Sequence, residues 1–504
     1  MGKDASGTTI NTSAYVGRLL ESIPAGYTVW KDGSTYRAEA NFSGGTDYSS
    51  DTFSTLWNSM VSTGRSIFLR KATYPVGATN LDLVADLDIS SEAGAIIEGD
   101  AAQTRDIFVS SAACDNLKMR NLHIKDANKA ISLTHASKNV TLENIYGEDC
   151  LWVARLVTAS ELASDFTGCH ISGLVDVFDA AGSHTGHTLS MVGRRSTIGN
   201  IYASASTRDG PAVYVLKSED ITVDNVVGYS CYDYLVVVDS CNRIAVSNII
   251  DEYNLHWGAV GVKTAYATGS DITLSNIQQY NVQANQSVRI ETGGGYALKN
   301  VVLNGFILNG GDGTGLTITG NNGDLTNVSV SNGIVKNFGQ GASDDWTESG
   351  IMVTGKNNST VDVKFHNVTS TDDQGSATQE YGMSVIARQD WTYPCAITIT
   401  VKDCDLSGNK TGTLNSQAQG SGSITPLYIH NQGYITENSG ITGAIATGAT
   451  VTHGLAGTPT AVTVTAAESG PTDIYVSAVG ASTFAINYGG GGTKTFYWQA
   501  EYKP

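Results

Sequence analysis

Residues 220–248 read DITVDNVVGYSCYDYLVVVDSCNRIAVSN. Two alternating apolar segments, DITVDN and RIAVSN, end in Asn225 and Asn248, and a second apolar run, LVVVDS, lies between them. Alternation of period two marks strands that bury one face. The unit recurs in both directions. NLKMRN closes on Asn121, NVTLEN on Asn144 and STIGN on Asn200; DITLSN closes on Asn276, NVVLN on Asn304, NVSVSN on Asn332 and VKFHN on Asn367. Most steps are 23 to 28 residues, rising to 35 at the last; Gly173 stands where the unit between Asn144 and Asn200 should have its asparagine.

A unit of this length, holding two or three short strands, is one coil of a right-handed parallel β-helix. Each coil stacks on the last at an inter-strand spacing of about 4.8 Å. The recurring asparagine has a physical role at a tight corner. Its backbone tolerates the left-handed region, and its amide can bond the equivalent amide one coil away. A β-sandwich of hairpins would instead place NG or DG turns every 8–12 residues or so, and they do not recur that way.

Composition agrees with a globular, all-β chain. Of 504 residues, 41 % are apolar and only 15 % charged, with 56 Gly against 8 Pro. A disordered chain carries more charge and Pro. The formal charge of −18 repels phosphates, so no nucleic-acid partner is expected. Apolar runs such as residues 234–238 are strand-sized, which argues against membrane insertion. The opening MGKDASGTTINTS has no secretory signal pattern. Seven cysteines, an odd number without a CxxC pair, read as small buried hydrophobes and not as a disulfide framework or zinc site.

The flanks differ from the repeat. Residues 1–45 read as an N-terminal arm or attachment segment, and residues 50–62 (SDTFSTLWNSMVS) have helical spacing with a Ser/Asp start. RSIFLRKATYPV follows as strand and turn. After Gly433 the segments THGLAGTP, AVTVTAA, DIYVSAVG, TFAINY and KTFYWQAEY read as five short strands of a small β-sandwich, residues 433–504. The helix, the RSIFL segment and the asparagine ladder together resemble the pectin-lyase-like β-helix superfamily over residues 46–432, where a short helix caps the core. That superfamily holds hydrolases, lyases, epimerases and binding proteins, so the resemblance speaks to fold more than to activity. The C-terminal segment resembles terminal modules of viral tail fibres and tailspikes.

Stacking turns sequence register into columns. Counting back from the last strand of each coil aligns Thr158, Lys217, Asp239, Lys263, Glu291, Thr319 and Thr354. This column reads either as a solvated charge ladder or as a polar groove floor in which Lys217 or Lys263 meets a uronate or sulfate. The loops before it supply Glu148, Asp149 and Trp152; Asp176, Asp179, His184 and His187; Arg208 and Asp209; Tyr232 and Asp233; Asp251, Glu252, His256 and Trp257; then Tyr280. Aromatic faces stack on sugar C–H surfaces, and carboxylates bond hydroxyls or do acid–base work. Ordinary loop polarity in an acidic chain is the competing explanation.

Glycoside hydrolysis takes two carboxyl groups, about 5–5.5 Å apart for retention and about 6.5–9.5 Å for inversion. Asp209 and Asp233, on adjacent coils, are the favoured pair, with Asp239 or Glu252 in reserve. A lyase or uronate epimerase would instead draw a base or carboxylate neutraliser from Lys217, Lys263, Arg289, His256 and Tyr232. Ca²⁺ enters only with that alternative; otherwise no cofactor is expected. His184 and His187 in an enlarged loop, and residues 343–348 (SDDWTE), are expected to wall the groove and not to bind a metal. No nucleophile elbow, phosphate loop or HExxH motif is present. The tailspike resemblance implies a polysaccharide substrate, a homotrimer and an extracellular or virion-associated site of action. It leaves open a spike that recognises a glycan without cleaving it.

Overall fold

The computed structural model describes residues 26–502 apart from 42–43, 64, 180–183, 206, 282, 284–285, 341–347, 389–393 and 434. Strand makes up 60 % and helix 2 % of a β-solenoid of about 12 turns. Two compact units, Met1–Val260 and Gly261–Pro504, are described in turn.

In the first unit four coils bend at three left-handed corners five residues apart. Asn116, Asn121 and Asp126 form one set, Asn139, Asn144 and Asp149 another, then Asp220, Asn225 and Ser230, and Arg243, Asn248 and Tyr253, all with φ between +51° and +59°. The expected asparagines occupy the middle corner. Asn144 Nδ2 donates to Asn121 Oδ1 at 3.1 Å and Asn225 Nδ2 to Asn200 Oδ1 at 2.8 Å. Gly173 takes this corner on its own coil at φ +70°, where a Cβ would lie 2.6 Å from Asn144 Oδ1. Between corners, the first and third residues of each arm point inward. Met119, Leu142, Ile171, Ile198, Val223 and Val246 thus stack in parallel register as one buried column.

The helix Phe53–Val61 lies within the expected 50–62 and buries Phe53, Leu56, Trp57, Met60 and Val61. Trp57 meets Phe108 edge-on at 5.3 Å, and its indole N–H donates to the Asp82 carbonyl at 2.8 Å. Residues 26–40, expected within an arm, form a hairpin of Gly26–Asp32 and Thr35–Ala40. Its first strand pairs in parallel with Ser66–Leu69, so it belongs to the stacked sheet. Residues 1–25 of that arm lie outside the described residues.

The second unit continues the pattern, with Leu274, Leu303, Val330, Phe365, Val401 and Tyr428 in one column. Glu291, Thr319 and Thr354 stand in register, as the counting anticipates. Beyond the coils, two three-stranded antiparallel sheets face each other around Phe484, Ile486, Phe496, Trp498 and Ala500. This is the small C-terminal sandwich. It has six strands where five are read from sequence: Glu437–Ile441 is added, and Ala449–Thr452 replaces the THGLAGTP segment. All seven cysteines are buried and unbridged, and burial pushes the Cys231 and Cys241 thiols up to about 12.

Candidate functional site

One sheet of the first unit opens with Leu81–Leu83 and continues through six stacked strands: Asp106–Ser110, Lys129–Leu133, Trp152–Leu156, His187–Met191, Val213–Leu216 and Val236–Asp239. Asp106, Lys129, Trp152 and His187 share one register row. Ser132, Arg155, Ser190, Tyr214 and Val237 share another. The Trp152 and His187 rings meet at right angles 4.3 Å apart, the Arg155 guanidinium lies 5.9 Å from the Trp152 ring, and His187 is 5.4 Å from Tyr214. Four side chains on three successive coils therefore form one aromatic and cationic strip.

The strip is held from behind. His187 Nδ1 lies 3.0 Å from the Pro211 carbonyl, which can only accept, so Nδ1 carries the proton and Nε2 is left as acceptor in the neutral ring. The Tyr214 hydroxyl donates to Asp239 Oδ2 at 3.1 Å, and Ser240 Oγ donates to Asp239 Oδ1 at 2.8 Å. A short loop, residues 158–165, follows the Trp152–Leu156 strand. Its Asp165 Oδ2 accepts from Ser160 Oγ at 3.0 Å and from the Leu162 N–H at 2.9 Å. Lys217 Nζ reaches back to the same loop and bonds Glu161 Oε2 at 2.8 Å.

On the next two coils Tyr232 stacks on His256 at 4.9 Å and Tyr234 on Trp257 at 5.7 Å, with His256 and Trp257 edge to face at 4.9 Å. Buried Asn254 ties these loops together, its Nδ2 donating to the Asp233 carbonyl at 2.9 Å. His256 Nδ1 is buried and has no hydrogen-bond partner among the described residues. Asp233 is half-buried, and its Oδ1 accepts from the Tyr234 N–H at 2.6 Å. Asp209 is exposed on a short strand paired to His184–Thr185, two residues before Pro211.

Four expected groove residues, Asp176, Arg208, Asp239 and Asp251, lie inside the coil instead. Arg208 is 1 % exposed; its guanidinium donates to Asp176 Oδ2 at 2.5 Å, to Thr188 Oγ1 at 3.1 Å and to the Cys150 carbonyl at 3.1 Å. Alternation on its two-residue strand sends Arg208 inward and Asp209 outward. Asp251 is fully buried, in the inward column Gly147, Asp176, Ala203, Gly228 and Asp251. Asp239 is also fully buried, which removes it as a reserve acid facing substrate. It pairs with Leu216 and not Lys217, because Lys217 turns off the strand at φ +46°. The expected column is thus one residue out of phase at this coil.

Glu252 is exposed at the end of Asn242–Glu252, in register with Tyr229 and away from the strip's strands. His184 packs its ring against Phe178 at 5.3 Å, and His187 is 8 % exposed. In the second unit Lys263 is exposed, Tyr280 donates to Gln278 Oε1 at 3.2 Å, and half-buried Arg289 ion-pairs with Glu291. Of residues 343–348, all but Glu348 lie outside the described residues. Among the described residues, no group of three or more His, Cys, Asp or Glu is placed to hold a metal ion.

Arg155, Tyr214 and Glu161 were missed as site or supporting residues. Arg155 and Tyr214 sit in VARLVT and AVYVLK, which read only as core strands. The available signal was a polar or aromatic residue at the outward position of the same strand on successive coils.

Stacked parallel coils, left-handed corners and a capping helix decide the fold. The chain folds as a parallel β-helix. No family model matches the sequence, and no curated protein does. Similar solved structures include the A-module of Azotobacter vinelandii mannuronan C-5 epimerase, at 14 % identity over 75 % of this chain and 93 % of that one, TM-score 0.42. The tailspike of Escherichia coli bacteriophage HK620 in complex with a pentasaccharide is 10 % identical over 89 % of both chains, TM-score 0.47. The catalytic domain of a GH87 α-1,3-glucanase in complex with tetrasaccharides is 13 % identical over 76 % of this chain and 67 % of that one, TM-score 0.43. At these identities and TM-scores the likeness says nothing of chemistry, which rests on this β-helix's own residues.

Proposed function

We propose that the β-helix binds a polysaccharide along the Trp152–Arg155–His187–Tyr214 strip and hydrolyses it. The strip carries the reading: aromatic faces and hydrogen-bonding heads alternate on successive coils, at a spacing of about 4.8 Å, close to the repeat of a sugar chain. Of the four candidate carboxylates, Asp239 is buried and Glu252 stands away from the strip's strands. Asp209 and Asp233 remain, on adjacent coils, the first opposite Thr185 and the second bonded by the Tyr234 N–H, as acid and base. Such a protein meets its substrate outside a cell or on a virion. It acts as a homotrimer, so sedimentation of the full chain should give three times the monomer mass; a monomer at micromolar concentration would contradict this.

A second reading, β-elimination on a uronate, is favoured by the Tyr214–Asp239 hydrogen bond. A tyrosine oxygen backed by a carboxylate is a candidate base, and Arg155, one row-mate away, can neutralise a uronate carboxylate. Trp152→Ala tests the strip common to both readings. It should weaken binding of the cognate polysaccharide at least tenfold while leaving the melting temperature within a few degrees. Unchanged affinity would move the site elsewhere. Asp209→Asn should abolish cleavage but keep binding if hydrolysis operates; Tyr214→Phe should do so if elimination operates.

A further inference from the structure

The sandwich sheet formed by Glu437–Ile441, Phe496–Glu501 and Ala461–Ala466 presents an ordered outer face. Ile441, Tyr497 and Thr465 form one cross-strand row; Ser439, Gln499 and Thr463 form the next. Neighbours within a row stand about 4.8 Å apart, and rows two residues apart are separated by about 7 Å. The two rows line a shallow cavity of about 480 Å³ together with Gly440 and Trp498, within the range of small-ligand sites. Trp498 is anchored edge-on to Phe484 in the sandwich core, so the floor is fixed. Tyr497 is 56 % exposed. The side-chain hydroxyls of Ser439, Thr463 and Thr465 have no hydrogen-bond partner among the described residues. Gln499 Nε2 donates to Glu437 Oε1 at 2.5 Å, which orients the amide and leaves its oxygen as acceptor.

We propose that this face is a second saccharide site, specific for neutral hexose chains, with Tyr497 as stacking platform and Gln499, Thr463 and Ser439 as hydroxyl partners. Charge selects the class. The two lining rows are uncharged, and the row beyond them carries Glu437 and Glu501 side by side. In a chain of formal charge −18 this border repels uronates, sialates and sulfated sugars. Size argues against a protein partner. Eight residues line the cavity, whereas a stable protein interface engages about 20–30 residues a side. The site lies outside the strip and stands or falls without it.

The test uses full-length protein carrying Trp152→Ala, which disables the strip. Cellohexaose, laminarihexaose, mannohexaose and a hexagalacturonate are titrated calorimetrically into this protein. At least one neutral hexamer should bind, the hexagalacturonate should not, and adding Tyr497→Ala should lower that affinity at least tenfold. Adding Tyr497→Phe should lower it no more than about threefold. Three outcomes overturn the proposal: no neutral hexamer binds; binding is indifferent to both Tyr497→Ala and Gln499→Ala; or Tyr497→Ala changes the sedimentation coefficient, which would make the face an interface between copies. Tyr497 is mostly exposed, so its loss should not unfold the sandwich, and a melting curve checks this.

Discussion

Arg208 shows how a surface-looking residue becomes an internal strut. It leaves a loop strand, enters the coil and neutralises Asp176 where neither side chain touches water. Removing one member of such a pair leaves a buried charge and costs about 3–5 kcal/mol. Arg208→Met should therefore lower stability by about that much in denaturant unfolding. The double variant Arg208→Met, Asp176→Leu should recover most of the loss, though not all, since the Cys150 carbonyl also loses its donor. A second residue-scale prediction concerns two carboxylates on adjacent coils, which shift in opposite directions. Burial raises Asp126, with Asp149, Glu98 and Glu148 adding to it against Lys125. The Lys125 hydrogen bond lowers Glu148, helped by His123. A raised folded value means the ionised Asp126 costs stability above that value, and the cost vanishes below the unfolded pKa of about 3.9. Asp126→Asn should thus raise the melting temperature at pH 7 and leave it unchanged at pH 3. A depressed value works the other way. Glu148→Gln should lower the melting temperature at pH 7, and the difference should disappear as pH falls through the folded pKa. Equal effects at both pH values would contradict either assignment.

At the scale of the coil, the middle corner was legible because asparagine is among the few residues that tolerate the left-handed region. Asn225 combines that conformation, φ +55°, with a bond to Asn200. Asn225→Ala loses both and should cost about 1–2 kcal/mol, while Asn225→Gly should cost less because only the bond is lost. The flanking corners were not legible. Arg195, Arg243, Ser230 and Tyr253 occupy them with φ between +51° and +56°, and none of these residue types announces such a bend. Stacking on the neighbouring coil imposes it. The site suffered for the same reason. Every corner restarts the in-and-out alternation, so counting back from the next strand across a corner loses phase. Counting forward from the ladder position keeps it: the third residue after each middle corner is Gly147, Asp176, Ala203, Gly228 or Asp251, and all point inward. Trp152 and His187 open their strands, so placing them needs no phase across a corner.

At the largest scale, the stacked coils of the first unit act as a ruler, and the chemistry sits in what each coil hangs on it. Six stacked strands hold Trp152, Arg155, His187 and Tyr214 in line, with Trp152 and Arg155 only half-buried. Function and stability are therefore separable: changes to the strip should alter sugar handling, and changes at the corners or to Arg208 should alter folding. The central claim is that this strip guides a polysaccharide to a cleaving pair. It is tested most directly by incubating the full chain with a panel of acidic and neutral polysaccharides and weighing the released oligosaccharides by mass spectrometry. The account predicts fragments heavier by one water per cut from at least one polysaccharide, produced by the wild type and absent with Asp209→Asn or Asp233→Asn. Fragments ending in an unsaturated uronate would replace hydrolysis by elimination at Tyr214. A panel in which nothing is cut, with no binding lost in Trp152→Ala, would contradict the account.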